Sequence, residues 1–294
     1  MLDRAIRAAG KRLVPGSMRP QVRYAYSRFR FWLTDDIDRA KLYFYRARTG
    51  KKFLTWYAER LERQDRELSA SSFEFLDNAY FPSGEIDFKV VTSFGIKPHH
   101  RVHEFGVGYL RTASWLIDYL DDGKFSGNDI SGARIERGLD HYGRERLLAK
   151  KPNLMVTRDM SFDWLNGETV DYIWCNAVIA HMPPEDVTEL FKNVRKIMHP
   201  QTILLATYSS HEVDRFRGGR ERDGLLSDIL DFANAHAGEE GAKFTVKDFF
   251  YTINFFKVLG EKFGFTVDDE SRRLPDVDTI PFQRWDMLLK VTLR

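Results

Sequence analysis

The sequence predicts an α/β fold: an open, mostly parallel sheet of seven strands with helices on both faces. Three observations predict it. Val102-His103-Glu104-Phe105 is a short apolar run that enters a Gly106-Val107-Gly108 turn. Apolar residues then recur three to four apart, at Ala113, Leu116, Ile117 and Leu120, the spacing of one helix face. Phe125-Ser126-Gly127-Asn128-Asp129 reads as a second strand ending in an acid, 21 residues after Gly108. Strand, glycine turn, helix and acid-ended strand make one nucleotide-binding half of a doubly wound sheet.

The later elements continue the alternation. Met155-Val156-Thr157 is a β-prone run leading into Arg158-Asp159-Met160. Val170 to Ile179 is an apolar stretch of the kind a parallel sheet buries on both faces, and His181-Met182-Pro183 follows it. Pro183-Pro184-Glu185-Asp186 opens a helix, because proline suits a first turn and acids oppose the N-terminal dipole. Val187, Leu190, Phe191, Val194 and Ile197 form its apolar stripe, and His199-Pro200 is expected to stop it. Thr202 to Tyr208 is the fifth strand. Residues 209–242 read as an insertion, with a Gly218-Gly219 pair and a short helix around Leu225 to Ala235. A helix over Phe249 to Phe263, a strand at Phe265-Thr266-Val267 and a last strand from Met287 to Leu293 complete the expectation.

The chemistry of the turn selects the ligand. A dinucleotide site wants a third glycine so that pyrophosphate can rest on the helix N-terminus. Here the corresponding residues are Tyr109-Leu110-Arg111-Thr112, and the carboxylate of Glu104 stands two residues before Gly106, where it repels phosphate and suits a cation. The Glu-x-Gly-x-Gly pattern with its spaced acid resembles the class I S-adenosylmethionine-dependent methyltransferases, over residues 99 to 210. The resemblance implies a Rossmann-like sheet and S-adenosylmethionine as cofactor. It places Glu104, Gly106, Gly108 and Asp129 around the cation and ribose, and Asp159 and Met160 at the adenine amino group and ring. His181, ten residues after Asp171, falls in the loop after the fourth strand, where the family's methyl acceptor lies and where an imidazole can take the acceptor's proton. Tyr208, His211 and Glu212 are alternative residues on the acceptor side. The implied acceptor is a sugar, a glycan-linked group or a small hydroxylated molecule, methylated on oxygen. A nicotinamide-dependent oxidoreductase and a non-catalytic cofactor-binding protein of the same fold are the alternatives.

Each of these residues also has an ordinary structural use. The glycines can make a plain tight turn, and Glu104 can be a surface or capping acid. Asp129 can cap the helix begun by Ser131-Gly132-Ala133, and Asp159 and His181 can be loop residues. Asp171 reads as structural, at the entry to its strand.

Composition sets the remaining bounds. The 294 residues divide on this reading into a helical extension or lid, 1–98, and a catalytic domain, 99–294. An apolar share of 43% supports a large core, and 30% charged residues argue against an integral membrane protein. No leader-like apolar run follows the basic N-terminus, so a cytoplasmic location is expected. The lone Cys175 reads as a core residue, and no cluster has metal-ligand spacing. The net charge of +2 conceals a polarised start: eight basic residues against Asp3 before Trp32, interleaved with Tyr24, Tyr26, Phe29 and Phe31. Residues 1–32 fit a lid with solvated arginines, a peripheral contact with an anionic membrane at the inner face, or, less well, a nucleic-acid surface.

Overall fold

A computed structural model describes residues 44–45, 47–50, 52–66, 76–210, 242–244, 249–274 and 287–294. The basic segment 1–32, Gly218-Gly219, the helix expected at 225–235, His211 and Glu212 lie outside the described residues. Two compact units partition the chain, residues 1–51 with 245–247, and residues 52–244 with 248–294. In the first, residues 47–49 are helical. The second carries the sheet.

Strands β1 (Val102–Phe105), β2 (Phe125–Asp129), β3 (Asn153–Val156), β4 (Val170–Cys175) and β5 (Met198–Ser210) run parallel in the order β3-β2-β1-β4-β5. Beyond them β6 (Ala242–Phe244) and β7 (Phe249–Tyr251) form an antiparallel hairpin whose β7 extends the last two residues of β5. β9 (Met287–Leu293) pairs antiparallel with residues 204–208 of β5, and β8 (Phe265–Asp269) pairs antiparallel with β9. The path β3-β2-β1-β4-β5-β9-β8 is therefore the seven-stranded, mostly parallel sheet, and the β6–β7 hairpin is an addition to it. Strand order reverses between β1 and β4, which opens a crevice at their C-terminal ends.

Every residue of β1 and β2 is buried, as strands covered on both faces require. Helices α1 (Phe53–Arg66), α2 (Gly84–Thr92), α3 (Ala113–Tyr119), α4 (Gly132–Tyr142) and α5 (Arg144–Ala149) precede or connect the first three strands. Val91, Leu116, Ile117, Leu139 and Leu147 from this group pack with Val102, Phe125 and Trp174 of the sheet. Helices α6 (Pro184–Val194) and α7 (Ile253–Phe263) meet through Phe191 stacked on Phe256, with centroids 6.0 Å apart. Cys175 is fully buried, and burial pushes its thiol up.

Two expectations are corrected. The run Phe249 to Phe263 is not one helix. Phe249, Phe250 and Tyr251 are buried in β7, and α7 starts only after Thr252, whose Oγ1 accepts the Phe255 N–H at 3.2 Å. His199-Pro200 does not simply stop α6 either. A 3₁₀ turn over Arg195–Ile197 intervenes, and β5 already begins at Met198, with an irregularity in its pairing to β4. Thr202 secures that irregularity: its Oγ1 accepts from His199 N at 2.8 Å and donates to Val170 O at 2.5 Å. Asp171 is an anchor beside it, accepting the Arg101 N–H at 2.7 Å.

Candidate functional site

At the strand-order reversal lies an open cleft of about 900 Å³ including its solvent mouth. Gly106, Gly108, Asp129, Asp159, Met160 and His181 all line it, together with Asn176 and, from α1, Leu54, Tyr57 and Leu61. One surface thus receives residues that follow four successive parallel strands.

The turn after β1 is tied to the end of β2. Gly106 N and Val107 N both donate to Asn128 O, at 2.8 and 3.0 Å, and Gly108 N donates to Asp129 Oδ2 at 2.8 Å. Gly106 has φ +82°, and a Cβ there would collide with the Val178 side chain from the loop after β4. Leu110, two residues past Gly108 and just before the third-glycine position held by Arg111, is fully buried, yet its backbone is left-handed with φ +58°. A leucine in that region costs about 1–3 kcal/mol, so packing around it over-determines the turn. Ala177, just after β4, also has a left-handed φ of +56°, and its N–H donates to Thr207 Oγ1 at 2.8 Å.

Asp129 is buried at the end of β2. Its Oδ1 accepts the Ser131 N–H at 2.9 Å and so shapes the entry to α4, while the residue also faces the cleft. Burial raises its carboxyl, opposed by Arg134 and the two N–H donors. A carboxylate has about four lone-pair sites, so two remain for ligand hydroxyls. Asp159 is held by Ser161, whose N–H and hydroxyl donate at 2.8 and 2.6 Å and keep the carboxyl below its ordinary range. Met160 is buried beside it.

Glu104 is not a wall residue of the cleft; it lies in β1, level with Gly127 and Trp174, and is only 3% exposed. Its Oε2 has no hydrogen-bond partner. Burial, then Asp87 and Asp129, push its carboxyl well above the usual carboxylate range, against the pull of Arg111. The surrounding acids are all compensated: Asp87 pairs with Arg111 at 2.8 Å, Asp65 with Arg134 at 2.9 Å, and Asp129 holds two backbone donors. A buried acid left short of positive charge beneath a glycine turn fits a cationic ligand and opposes a pyrophosphate. Asn176 adds an orphaned donor. The chain from Ala177 N–H to Thr207 Oγ1 to Asn176 Oδ1, 3.0 Å, orients the amide, and its buried Nδ2 has no partner.

His181 ends a 3₁₀ turn over Ile179–His181, and its ring stacks on Tyr57 of α1, with centroids 5.8 Å apart at 26°. Tyr208 is not on the cleft: it is buried in the core against Phe256, centroids 4.7 Å apart. Sequence reasoning missed Asp65, Asn176 and Tyr57. Tyr57 and Leu61 share the four-residue spacing of one helix face, but nothing local announces what that face covers.

Residues 103–204 match a family model described as a methyltransferase domain. A comparison with curated proteins found no match. Among solved structures, magnesium protoporphyrin IX methyltransferase from Synechocystis PCC 6803 with bound S-adenosylhomocysteine superposes with a TM-score of 0.53, at 12% identity over 83% of this chain and 100% of that one. The glycopeptide N-methyltransferase MtfA, complexed with S-adenosylhomocysteine, gives 0.52 at 13% identity over 77% and 98%. These likenesses describe the fold, and the family model adds the class. Residues 103–204 thus match a methyltransferase domain, and the chain has the fold of methyltransferases solved with S-adenosylhomocysteine bound.

Proposed function

We propose that the cleft binds S-adenosylmethionine and that the chain transfers its methyl group to a hydroxyl of a sugar, a glycan-linked group or a small hydroxylated molecule. The observation that carries the cofactor reading is Glu104, a buried carboxyl group with an orphaned oxygen under the turn that a cationic ligand would ionise, backed by Gly106, where no side chain fits. In this reading Asp129 accepts from the ribose hydroxyls, Met160 packs on the adenine, Asp159 accepts from its amino group, and Glu104 offsets the positive charge. The same charge pattern argues against the nicotinamide alternative.

When bound, the cofactor supplies a methyl carbon already activated by the sulfonium. What remains for the protein is alignment and a place for one proton. Tyr57, Leu54, Val178 and Met182 give the cleft an apolar and aromatic wall, and His181 stands within it. Such a wall suits a ring with apolar faces and hydroxyl-bearing edges. An imidazole nitrogen of His181 takes the acceptor's proton as the bond to the methyl forms.

The division into an extension, 1–98, and a domain, 99–294, belongs to the same proposal, with α1 as the part of the extension that reaches the cleft. So does a cytoplasmic location with residues 1–32 touching an anionic membrane face. Among the described residues no helix is long and apolar enough to cross a membrane. The acceptor is identified by incubating the purified chain with cell extract and a trideuteromethyl cofactor, then searching by mass spectrometry for species heavier by the labelled methyl group. Labelled hydroxylated species support the reading. Label on nitrogen alone contradicts the O-methylation, and no label in any species favours the non-catalytic alternative.

A further inference from the structure

The face of α1 that lines the cleft ends in a charge that does not line it. Leu54, Tyr57 and Leu61 reach the cleft wall, and one turn further Asp65 is buried, 4% exposed. Its Oδ1 accepts from the Tyr109 hydroxyl at 2.6 Å, and its Oδ2 accepts from Ser131 Oγ at 3.2 Å and Arg134 Nε at 2.9 Å. The Arg134 guanidinium also lies 5.1 Å from the centre of the Tyr109 ring. Burial and the neighbouring Asp65 carboxylate push the Tyr109 hydroxyl up, so it remains a donor.

These partners belong to two segments. Tyr109 sits between Gly108 and the left-handed Leu110 in the turn after β1, while Ser131 is the N-cap of α4 and Arg134 lies in its first turn. Asp129 grips the same two segments through Gly108 N and Ser131 N. Two acids thus hold one pair of segments. Asp129 faces the ligand, whereas Asp65 is absent from the cleft wall and engaged by three side chains.

We propose that Asp65 is a positioning residue for the cofactor: from α1 it locks the glycine turn and the start of α4 in the arrangement that receives the nucleoside. The proposal rests on the cofactor reading above. It makes α1 an integral part of the cofactor site, though α1 precedes the matched domain by almost 40 residues. Without Asp65, Arg134 loses its carboxylate partner and Tyr109 its acceptor, and of the two acids that join the turn to the start of α4 only Asp129 remains.

The test titrates S-adenosylhomocysteine into the full chain by calorimetry, comparing wild type with Asp65→Ala, Asp65→Asn, Tyr109→Phe and Val291→Ala. Val291 is a fully buried β9 residue remote in sequence from the turn, and serves as the control for lost stability. Asp65→Ala is expected to weaken binding about 10- to 100-fold. Asp65→Asn, which keeps an acceptor for Tyr109, recovers part of that loss, and Tyr109→Phe weakens binding severalfold. Val291→Ala lowers the melting temperature and leaves the Kd within about twofold. Amide exchange at Gly108 and Ser131 quickens in Asp65→Ala and Tyr109→Phe only. Should Asp65→Ala fail to fold, Tyr109→Phe decides. Wild-type affinity in Asp65→Ala or Tyr109→Phe, or an equal loss in Val291→Ala, overturns the proposal while leaving the cofactor reading intact. No binding by wild type overturns both.

Discussion

Replacing Glu104 by Gln separates what this residue does for folding from what it does for the ligand. With its orphaned Oε2 and with Asp87 and Asp129 nearby, the Glu104 carboxyl keeps its proton in the ligand-free protein well above the ordinary value of 4.5. The groups that face it are Asp87 of α2, Asp129 of β2, Arg111 after the glycine turn and Cys175 of β4. The unfolded chain ionises at the ordinary value and the folded one does not. Stability is therefore fully present below that value and falls as pH rises, by about 1.4 kcal/mol per unit, until the folded carboxyl ionises. Glutamine mimics the protonated form and escapes this loss. Glu104→Gln should raise the melting temperature at pH 7 to 8 by about 2–4 °C per kcal/mol recovered, with little change near pH 4.5. Binding moves the opposite way. A cationic ligand displaces the proton, so wild-type affinity for S-adenosylmethionine rises with pH, approaching about tenfold per unit while Glu104 is protonated. Glu104→Gln binds more weakly and loses this slope. Calorimetry in two buffers of different ionisation enthalpy reads the proton directly: release by wild type on binding, none by the variant. A variant that melts lower at pH 8 and binds as wild type would show a structural carboxylate and refute the reasoning.

Gly106→Ala adds a Cβ against Val178 and forces alanine to φ +82°, so S-adenosylhomocysteine binding should be lost together with about 1–3 kcal/mol of stability, read by calorimetry and denaturant melts. Asp129→Ala frees the Gly108 and Ser131 N–H groups and removes the ribose acceptor, and binding should fall at least ~100-fold with a smaller loss of stability. His181→Ala should leave the cofactor Kd unchanged and lower kcat about 10²- to 10⁴-fold with a hydroxyl acceptor, flattening the low-pH limb of the rate profile; an unaltered profile removes His181 as the base. Changing Arg4, Arg7, Lys11 and Arg12 to Gln in the full chain should reduce pelleting with phosphatidylserine vesicles and leave phosphatidylcholine vesicles unaffected; equal pelleting on both removes the membrane contact.

The features legible in the sequence were those carried by local spacing. Gly106, Gly108 and Asp129 lie in one strand-turn-helix-strand unit, so the interval between them is set by the geometry of that unit, and they meet in the cleft as its period requires. Asp159, Met160 and His181 follow the next two strands and arrive at the same sheet edge by the same logic. What stayed hidden depends on partners far along the chain. Asp65 meets Tyr109 across 44 residues, and Asn176 is oriented by Thr207 across 31. Glu104 was legible as an acid before the turn, but its place beneath the cleft follows from all four β1 residues being buried. Tyr208 looked available at a strand end because the extension of β5 by β7, which encloses that end, leaves no periodic signal.

The central claim is that the cleft takes a sulfonium ligand. Calorimetric titration of the full chain with S-adenosylmethionine, and in parallel with NADH, tests it most directly. The account predicts one site for S-adenosylmethionine, absent in Gly106→Arg, and no heat from NADH. Binding of NADH that is lost in Gly106→Arg, with S-adenosylmethionine ignored, would contradict it.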